Sequence, residues 1–309
     1  LSYAAKAGSL DAVKYLVEHG ANVNYDSRGS DSPLHYAVKE SSLNMVKYLV
    51  EQGANVNLGN DENKTALHYA AESKSLEIVK YLVENGADVH SKNVENNTAV
   101  HYAAHVGSLE IVKYLIECGA DVNCKNINDD TPLHYAAELN SLEMIDILVT
   151  RGAEVNCQSR NNNTALSYAA KAGSLDAVKY LVEHGANVNY DSRGSDSPLH
   201  YAVKESSLNM VKYLVEQGAN VNLGNDENKT ALHYAAESKS LGIVKYLVEN
   251  GADVHSKNVE NKTAVHYAAC SGSLEIVKYL TECGADVNSQ SNNGYCLLHH
   301  AAQLNSLEM

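Results

Sequence analysis

Gly-Ala followed by Asp, Asn or Glu and then Val begins at Gly20, Gly53, Gly86, Gly119, Gly152, Gly185, Gly218, Gly251 and Gly284, a step of 33 residues held along the whole chain. Thr65, Thr98, Thr131, Thr164, Thr230 and Thr263, with Ser32 and Ser197 in the same slot, keep the same step independently. A period this short leaves room for one supersecondary element per unit, and such an element buries its apolar face only by stacking on its neighbours. Counted from the turn before each Thr, the complete units are 27–59, 60–92, 93–125, 126–158, 159–191, 192–224, 225–257 and 258–290, flanked by partial units 1–26 and 291–309. The 309 residues are therefore expected to form one repeat array rather than two globular domains. Neither end carries a polar capping unit, so the chain reads as part of a longer protein.

Residues 60–92 show how one unit is built. The polar stretch from Asn60 to Lys64 is turn-forming, and Thr65 is placed to cap a helix through its hydroxyl. The three prolines, Pro33, Pro132 and Pro198, all fall just after that cap, at the first helical position where no backbone N–H is needed. Ser75 is expected to cap a second helix, whose apolar stripe is Leu76, Ile78, Val79, Leu82 and Val83. Gly86 ends it as the left-handed residue. Helices this short do not stand alone in water, so each pair depends on the next.

Thr131-Pro132-Leu133-His134-Tyr135-Ala136-Ala137, followed by Ser141-Leu142-Glu143 and Gly152-Ala153, resembles the ankyrin repeat. The resemblance covers the whole chain. It implies an all-α, elongated and curved α-solenoid of helix-turn-helix units joined by β-hairpin loops, with a protein-binding surface made by first helices and hairpin tips. Two slots depart from the family pattern. Two residues before the Thr, where the family has Gly, stand Asn63, Asn96, Asp129, Asn162, Asn228, Asn261, Ser30 and Ser195, with Gly only at Gly294; the backbone there is expected at positive φ, which Asn and Asp tolerate. Between the helices Gly8, Gly107, Gly173 and Gly272 give way elsewhere to Lys74, Lys239, Ser41, Ser206, Asn140 and Asn305, and the Lys and Ser versions are expected to be locally weaker.

The formal net charge is −14. Nucleic-acid binding draws its affinity from Lys and Arg on phosphates, so a nucleic-acid partner is not expected, nor an anionic membrane surface. No apolar run reaches the roughly 20 residues that cross a bilayer. The six cysteines show no zinc-type spacing, and reduced thiols in a cytoplasmic chain are expected. The eight repeat histidines, His35, His68, His101, His134, His200, His233, His266 and His299, recur with the fold, whereas catalytic groups gather in one pocket. They are read as buried imidazoles bonded to backbone and to the cap Thr. The Tyr at two repeating slots are read as packing between units, with Tyr25, Tyr190 and Tyr295 standing apart near the tips. Lys80 and Glu84 are placed to pair along the outer face of the second helix. No phosphate loop, acid pair or Ser-His-Asp arrangement is present, so neither an enzyme nor a cofactor is expected.

What varies from unit to unit is the surface that the resemblance assigns to binding. In the first half these residues are Arg28, Asp31, Lys39, Glu40, Asp61, Glu62, Lys64, Glu72, Val94, Glu95, His105, Val106, Ile127, Asp130, Glu138, Leu139 and Arg160. The second half offers Arg193, Asp196, Lys204, Glu205, Asp226, Glu227, Lys229, Glu237, Val259 and Glu260. Val94, Ile127 and Val259 are apolar residues on polar tips and stand out as anchors. The leading expectation is a monomeric, non-catalytic scaffold or adaptor that binds proteins not yet identified. The rival is a targeting part of a larger effector, toxin, channel or ubiquitin-ligase subunit. Asn123, Asn156 and Asn288 resemble the positions that asparaginyl hydroxylases modify in ankyrin repeats, although an Asn that merely completes the hairpin gives the same pattern. Residues 1–144 also align with 166–309 at an offset of 165, five periods, with 15 differences and none in the first 76 positions. Two equivalent binding surfaces on one chain are one expectation that follows; a recent gene duplication with no selection on the second copy gives the same pattern.

Overall fold

The computed structural model describes residues 1–309 except 26–29, 191–195, 298 and 300–309. Arg28, Arg193, Ser195 and Asn305 lie outside the described residues. The chain divides into two compact units, Leu1–Glu154 and Val155–Met309. In the first unit the first helices of the repeats are Ser2–Lys6, Pro33–Lys39, Ala66–Glu72, Ala99–His105 and Pro132–Glu138, and the second helices are Leu10–Glu18, Leu43–Glu51, Leu76–Glu84, Leu109–Glu117 and Leu142–Thr150. In the second unit the corresponding sets are Ala165–Lys171, Pro198–Lys204, Ala231–Glu237 and Ala264–Ser271, and Leu175–Glu183, Leu208–Glu216, Leu241–Glu249 and Leu274–Glu282. Within each unit a first helix packs on the next first helix and on its own second helix, and second helices touch their successors.

The interior of each pair is apolar. Leu67, Ala70, Ala71, Ile78, Val79 and Leu82 are all buried, and each fully buried Leu or Ile contributes about 1.5–3 kcal/mol. The repeat histidine ties this core to the cap. His68 Nδ1 accepts the Thr65 N–H at 3.0 Å and lies 2.9 Å from the Thr65 hydroxyl. That nitrogen is thus the acceptor, and Nε2 carries the proton and donates to the Asn97 carbonyl at 3.0 Å. Burial pushes His68, His101 and His233 down to about 4, outweighing the backbone carbonyls that favour the charged ring.

Positive φ occurs where glycine is replaced before the cap, at 55° for Asn63, 58° for Asn96 and 57° for Asp129. Lys74 and Lys239 adopt it between the helices, at 57° and 58°, and there no short polar side chain relieves the left-handed backbone. The prolines occupy the first helical positions.

The first helices are mostly seven residues, shorter than the nine of the second. Three expectations are corrected. The Ser residues stand at the N-caps of the described second helices, but among the described residues only Ser9 and Ser174 accept a capping bond, from Ala12 and Ala177; Ser75 meets the Ser41 and Ser73 hydroxyls instead. The loops form no strand among the described residues: each fully described tip closes on itself through two backbone bonds, as from the Asn60 N–H to the Lys64 carbonyl at 3.0 Å and from the Asn63 N–H to the Asn60 carbonyl at 2.8 Å, too few for a ladder. Lys80 and Glu84 do not pair; Lys80 Nζ lies 5.7 Å from the Tyr114 ring of the next repeat, as Lys47 does over Tyr81 at 5.8 Å, a cation–π contact between repeats.

A further set of bonds runs between repeats. Asn57 Nδ2 donates to the Gly86 carbonyl at 2.9 Å while its Oδ1 accepts the Asp88 N–H at 2.8 Å. The side chains of Asn24, Asn123, Asn156, Asn189 and Asn222 bridge the same pair of backbone groups one repeat downstream, with all bonds between 2.6 and 3.0 Å.

Candidate functional site

The tips follow one another by single backbone bonds. The Val94 N–H donates to the Glu62 carbonyl at 2.9 Å, Ile127 to Glu95 at 2.9 Å, and Val259 to Glu227 at 3.0 Å. Each bond fixes the tip and leaves its apolar side chain in solvent: Val94 is 60% exposed, Ile127 41% and Val259 55%. The remaining described candidates are also exposed, apart from Asp31, Lys64, Val106, Asp130, Asp196 and Lys229, which are half-buried.

The charged candidates fall into two kinds of cluster. In the first, Asp31 pairs with Lys39 and accepts Asn60 Nδ2 at 2.9 Å and the Tyr69 hydroxyl at 3.2 Å, while Lys39 Nζ stands 4.2 Å from the Tyr69 ring centroid. Burial raises the Asp31 carboxyl, but the Lys39 and Asn60 hydrogen bonds and the Lys39 charge outweigh it and hold it below the usual carboxylate range. Asp196, Lys204, Asn225 and Tyr234 repeat this arrangement, with the same 2.9 and 3.2 Å bonds to Asp196 and Lys204 at 4.4 Å from the ring.

The second kind is a hollow. One of about 310 Å³ is lined by Lys64, Glu72, Glu95, Asn97, His101, Tyr102, His105 and Tyr135. Lys64 Nζ lies 5.0 Å from the Tyr102 ring centroid, 3.6 Å from Glu62 and 4.0 Å from Glu72. Glu95 accepts the Asn97 amide at 3.0 Å, and His105 meets Tyr135 edge-on at 5.2 Å. In the second unit a hollow of about 340 Å³ is lined by Glu227, Lys229, Glu237, Asn258, Val259, Glu260, Lys262 and Tyr267. There Lys262 pairs with Glu260 at 2.6 Å, which raises the lysine, and Lys229 pairs with Glu227 at 2.9 Å.

The sequence pattern named Lys64, Glu72, Glu95 and His105 of the first hollow and Glu227, Lys229, Glu237, Val259 and Glu260 of the second. It missed Tyr102, Tyr135 and Tyr267, read as packing alone, together with Asn97, Asn258 and Lys262. Lys262 carried a usable signal, because it is one of the positions where the duplicated halves differ. Asn123 and Asn156 hold the next repeats' backbones through their amides, and the Asn288 N–H donates to Asp286 Oδ1 at 2.9 Å.

The architecture of paired helices at a 33-residue step meets a family match that spans the chain. The family model described as ankyrin repeats (3 copies) matches residues 1–93, 87–159, 152–225, 189–258 and 251–309. The chain belongs to the ankyrin-repeat family. No curated protein matches it. Ankyrin repeats are generally protein–protein interaction modules and are typically non-catalytic. Among the described residues no group of His, Cys, Asp and Glu could hold a metal ion, and no helix is long and apolar enough to cross a membrane. In this ankyrin chain both hollows lie between the end of one first helix and the tips beside it.

Proposed function

We propose that this chain is a non-catalytic scaffold that holds a segment of a partner protein against its tips and first-helix ends. The observation that carries this reading is the pair of hollows, each bringing charged side chains and a tyrosine face together beside an exposed apolar tip residue. Aromatic and apolar anchors surrounded by polar groups are what protein interfaces use. The first hollow suits a basic side chain, because Glu72 and Glu95 face it with Lys64 already shared among Glu62, Glu72 and Tyr102. The repeated Asp31–Lys39–Tyr69 and Asp196–Lys204–Tyr234 clusters support two related surfaces on one chain, so a divalent partner would gain avidity wherever its spacing fits.

A photo-crosslinking residue tests the face. Placed at Val94 in the full chain, it is expected to give discrete adducts with a basic partner segment. Placed at Lys80, on the second helix, it is expected to give none. Adducts from position 80 with none from position 94 would assign binding to the other face.

A further inference from the structure

Among the described residues six asparagines bridge a backbone carbonyl and a backbone N–H of the following repeat, and at two junctions the bridge is absent because the slot holds His90 or His255. Below His90 the two groups that would be bridged are the Gly119 carbonyl and the Asp121 N–H. Neither has a hydrogen-bond partner among the described residues. The same pair stands open below His255, at Gly284 and Asp286. An imidazole cannot take the place of the amide, since its donor and acceptor point away from each other across the ring. At the His90 junction there is instead a hollow of about 420 Å³ walled by His90, Lys92, Asp121, Asn123 and Lys125, with Thr98 and the buried Cys124 among its lining.

We propose that this hollow binds a primary carboxamide, the side chain of an asparagine or glutamine on a partner protein. The site is separate from the hollows between tips and first helices. The ligand chemistry is read from the chain itself. Where Asn57 or Asn123 fills the slot, the amide NH₂ donates to the glycine carbonyl and the amide oxygen accepts the N–H two residues on. The partner's NH₂ would meet the Gly119 carbonyl in the same way, and its oxygen the Asp121 N–H. A carboxylate would be drawn by Lys92 and Lys125 in the same wall, but it has no proton for the Gly119 carbonyl and would be repelled by that oxygen. An ammonium has no acceptor for the Asp121 N–H. Only a group with donor and acceptor side by side satisfies both.

The test is a titration of the ¹⁵N-labelled full chain with acetamide, followed through the backbone amide of Asp121, with the already bridged Asp88 and Glu154 amides as internal references. A saturable shift of Asp121, at least tenfold larger than that of Asp88 or Glu154, is expected. His90→Asn supplies the chain's own carboxamide and is expected to cut the Asp121 response at least tenfold; His90→Ala leaves the pair open and should keep it. Acetate should not compete. The proposal is overturned if Asp121 shifts no more than Asp88, if acetate or a blocked glycine peptide acts as well as acetamide, if His90→Asn still responds, or if His90→Ala abolishes the response.

Discussion

The hollow around Lys64 and its counterpart around Lys229 are built from the same repeat positions but differ in charge. Over the equivalent set Glu62, Lys64, Glu72, Glu95 and Asn97, two negative charges remain. Over Glu227, Lys229, Glu237, Glu260 and Lys262, one remains. The difference is a single position, Asn97 against Lys262. In the first unit Glu95 is held by a neutral amide at 3.0 Å; in the second, Glu260 is held by an ammonium at 2.6 Å. A second departure, His105 against Cys270, removes the ring that meets Tyr135 in the first hollow. The scaffold is copied while the charge offered to a partner is not, so a duplicated array can present related but unequal surfaces.

The harshest way to break this comparison is to unfold one side of it. Leu82→Asp puts an unpaired charge into a fully buried site and should cost several kcal/mol, on the order of 3–5. Hydrogen exchange is expected to lose amide protection around residues 60–125 while that around 225–282 persists; Leu247→Asp should do the converse. Loss of protection everywhere from either change would show that the two hollows are not energetically independent.

Acid acts on both sides at once. His68, His101 and His233 titrate at about 4 in the folded chain against about 6.5 when unfolded. Between these values the unfolded chain binds more protons, so stability is full above about 6.5 and is lost as pH falls toward 4. Each histidine contributes up to ~1.4 kcal/mol per pH unit in that window. Urea unfolding at pH 7, 6 and 5 should show a falling midpoint, and His68→Gln should flatten the slope in the first unit alone.

The comparison is sharpened by exchanging its one charged difference. Asn97→Lys in the first hollow should weaken binding of a short arginine peptide by roughly 1 kcal/mol, about fivefold, and Lys262→Asn should strengthen binding at the second. Calorimetry on the full chain with each variant reads the change; equal affinities before and after would mean that the charge is screened. The smallest effect concerns two positions that do not differ. Lys74→Gly and Lys239→Gly each relieve a left-handed non-glycine residue and are expected to stabilise by about 0.5 kcal/mol, with equal shifts in thermal midpoint.

Much of the fold was readable because the period repeats every constraint: the left-handed Gly86, the proline at the first helical turn, and the stripe from Leu76 to Val83 each occur many times over. The histidine role was readable for the same reason at the seven positions from His35 to His266, which are buried, whereas His299, near the last described residues, is exposed. The outer-face lysines were misread because local spacing suggests Lys80 with Glu84, and only three-dimensional stacking brings Tyr114 closer. The hollows were half visible. Their charged rims vary from repeat to repeat and so draw notice, but Tyr102 and Tyr267 belong to an invariant slot that looks structural. The open backbone pair below His90 leaves no trace in composition or charge, because it shows only once the other asparagines are seen to span two repeats.

The imidazole of His68 reaches a carbonyl 29 residues ahead, and His233 does the same. Such a link works as a counting device. It closes only if the intervening chain has one particular length, so an insertion or loss of a few residues anywhere inside it would leave a buried ring without its acceptor. Whole periods escape this restriction. A copied block of 165 residues, five steps of 33, returns His68, as His233, to the same distance from its carbonyl. The chain can therefore lengthen or shorten in units of a full repeat, while smaller edits strike the core directly.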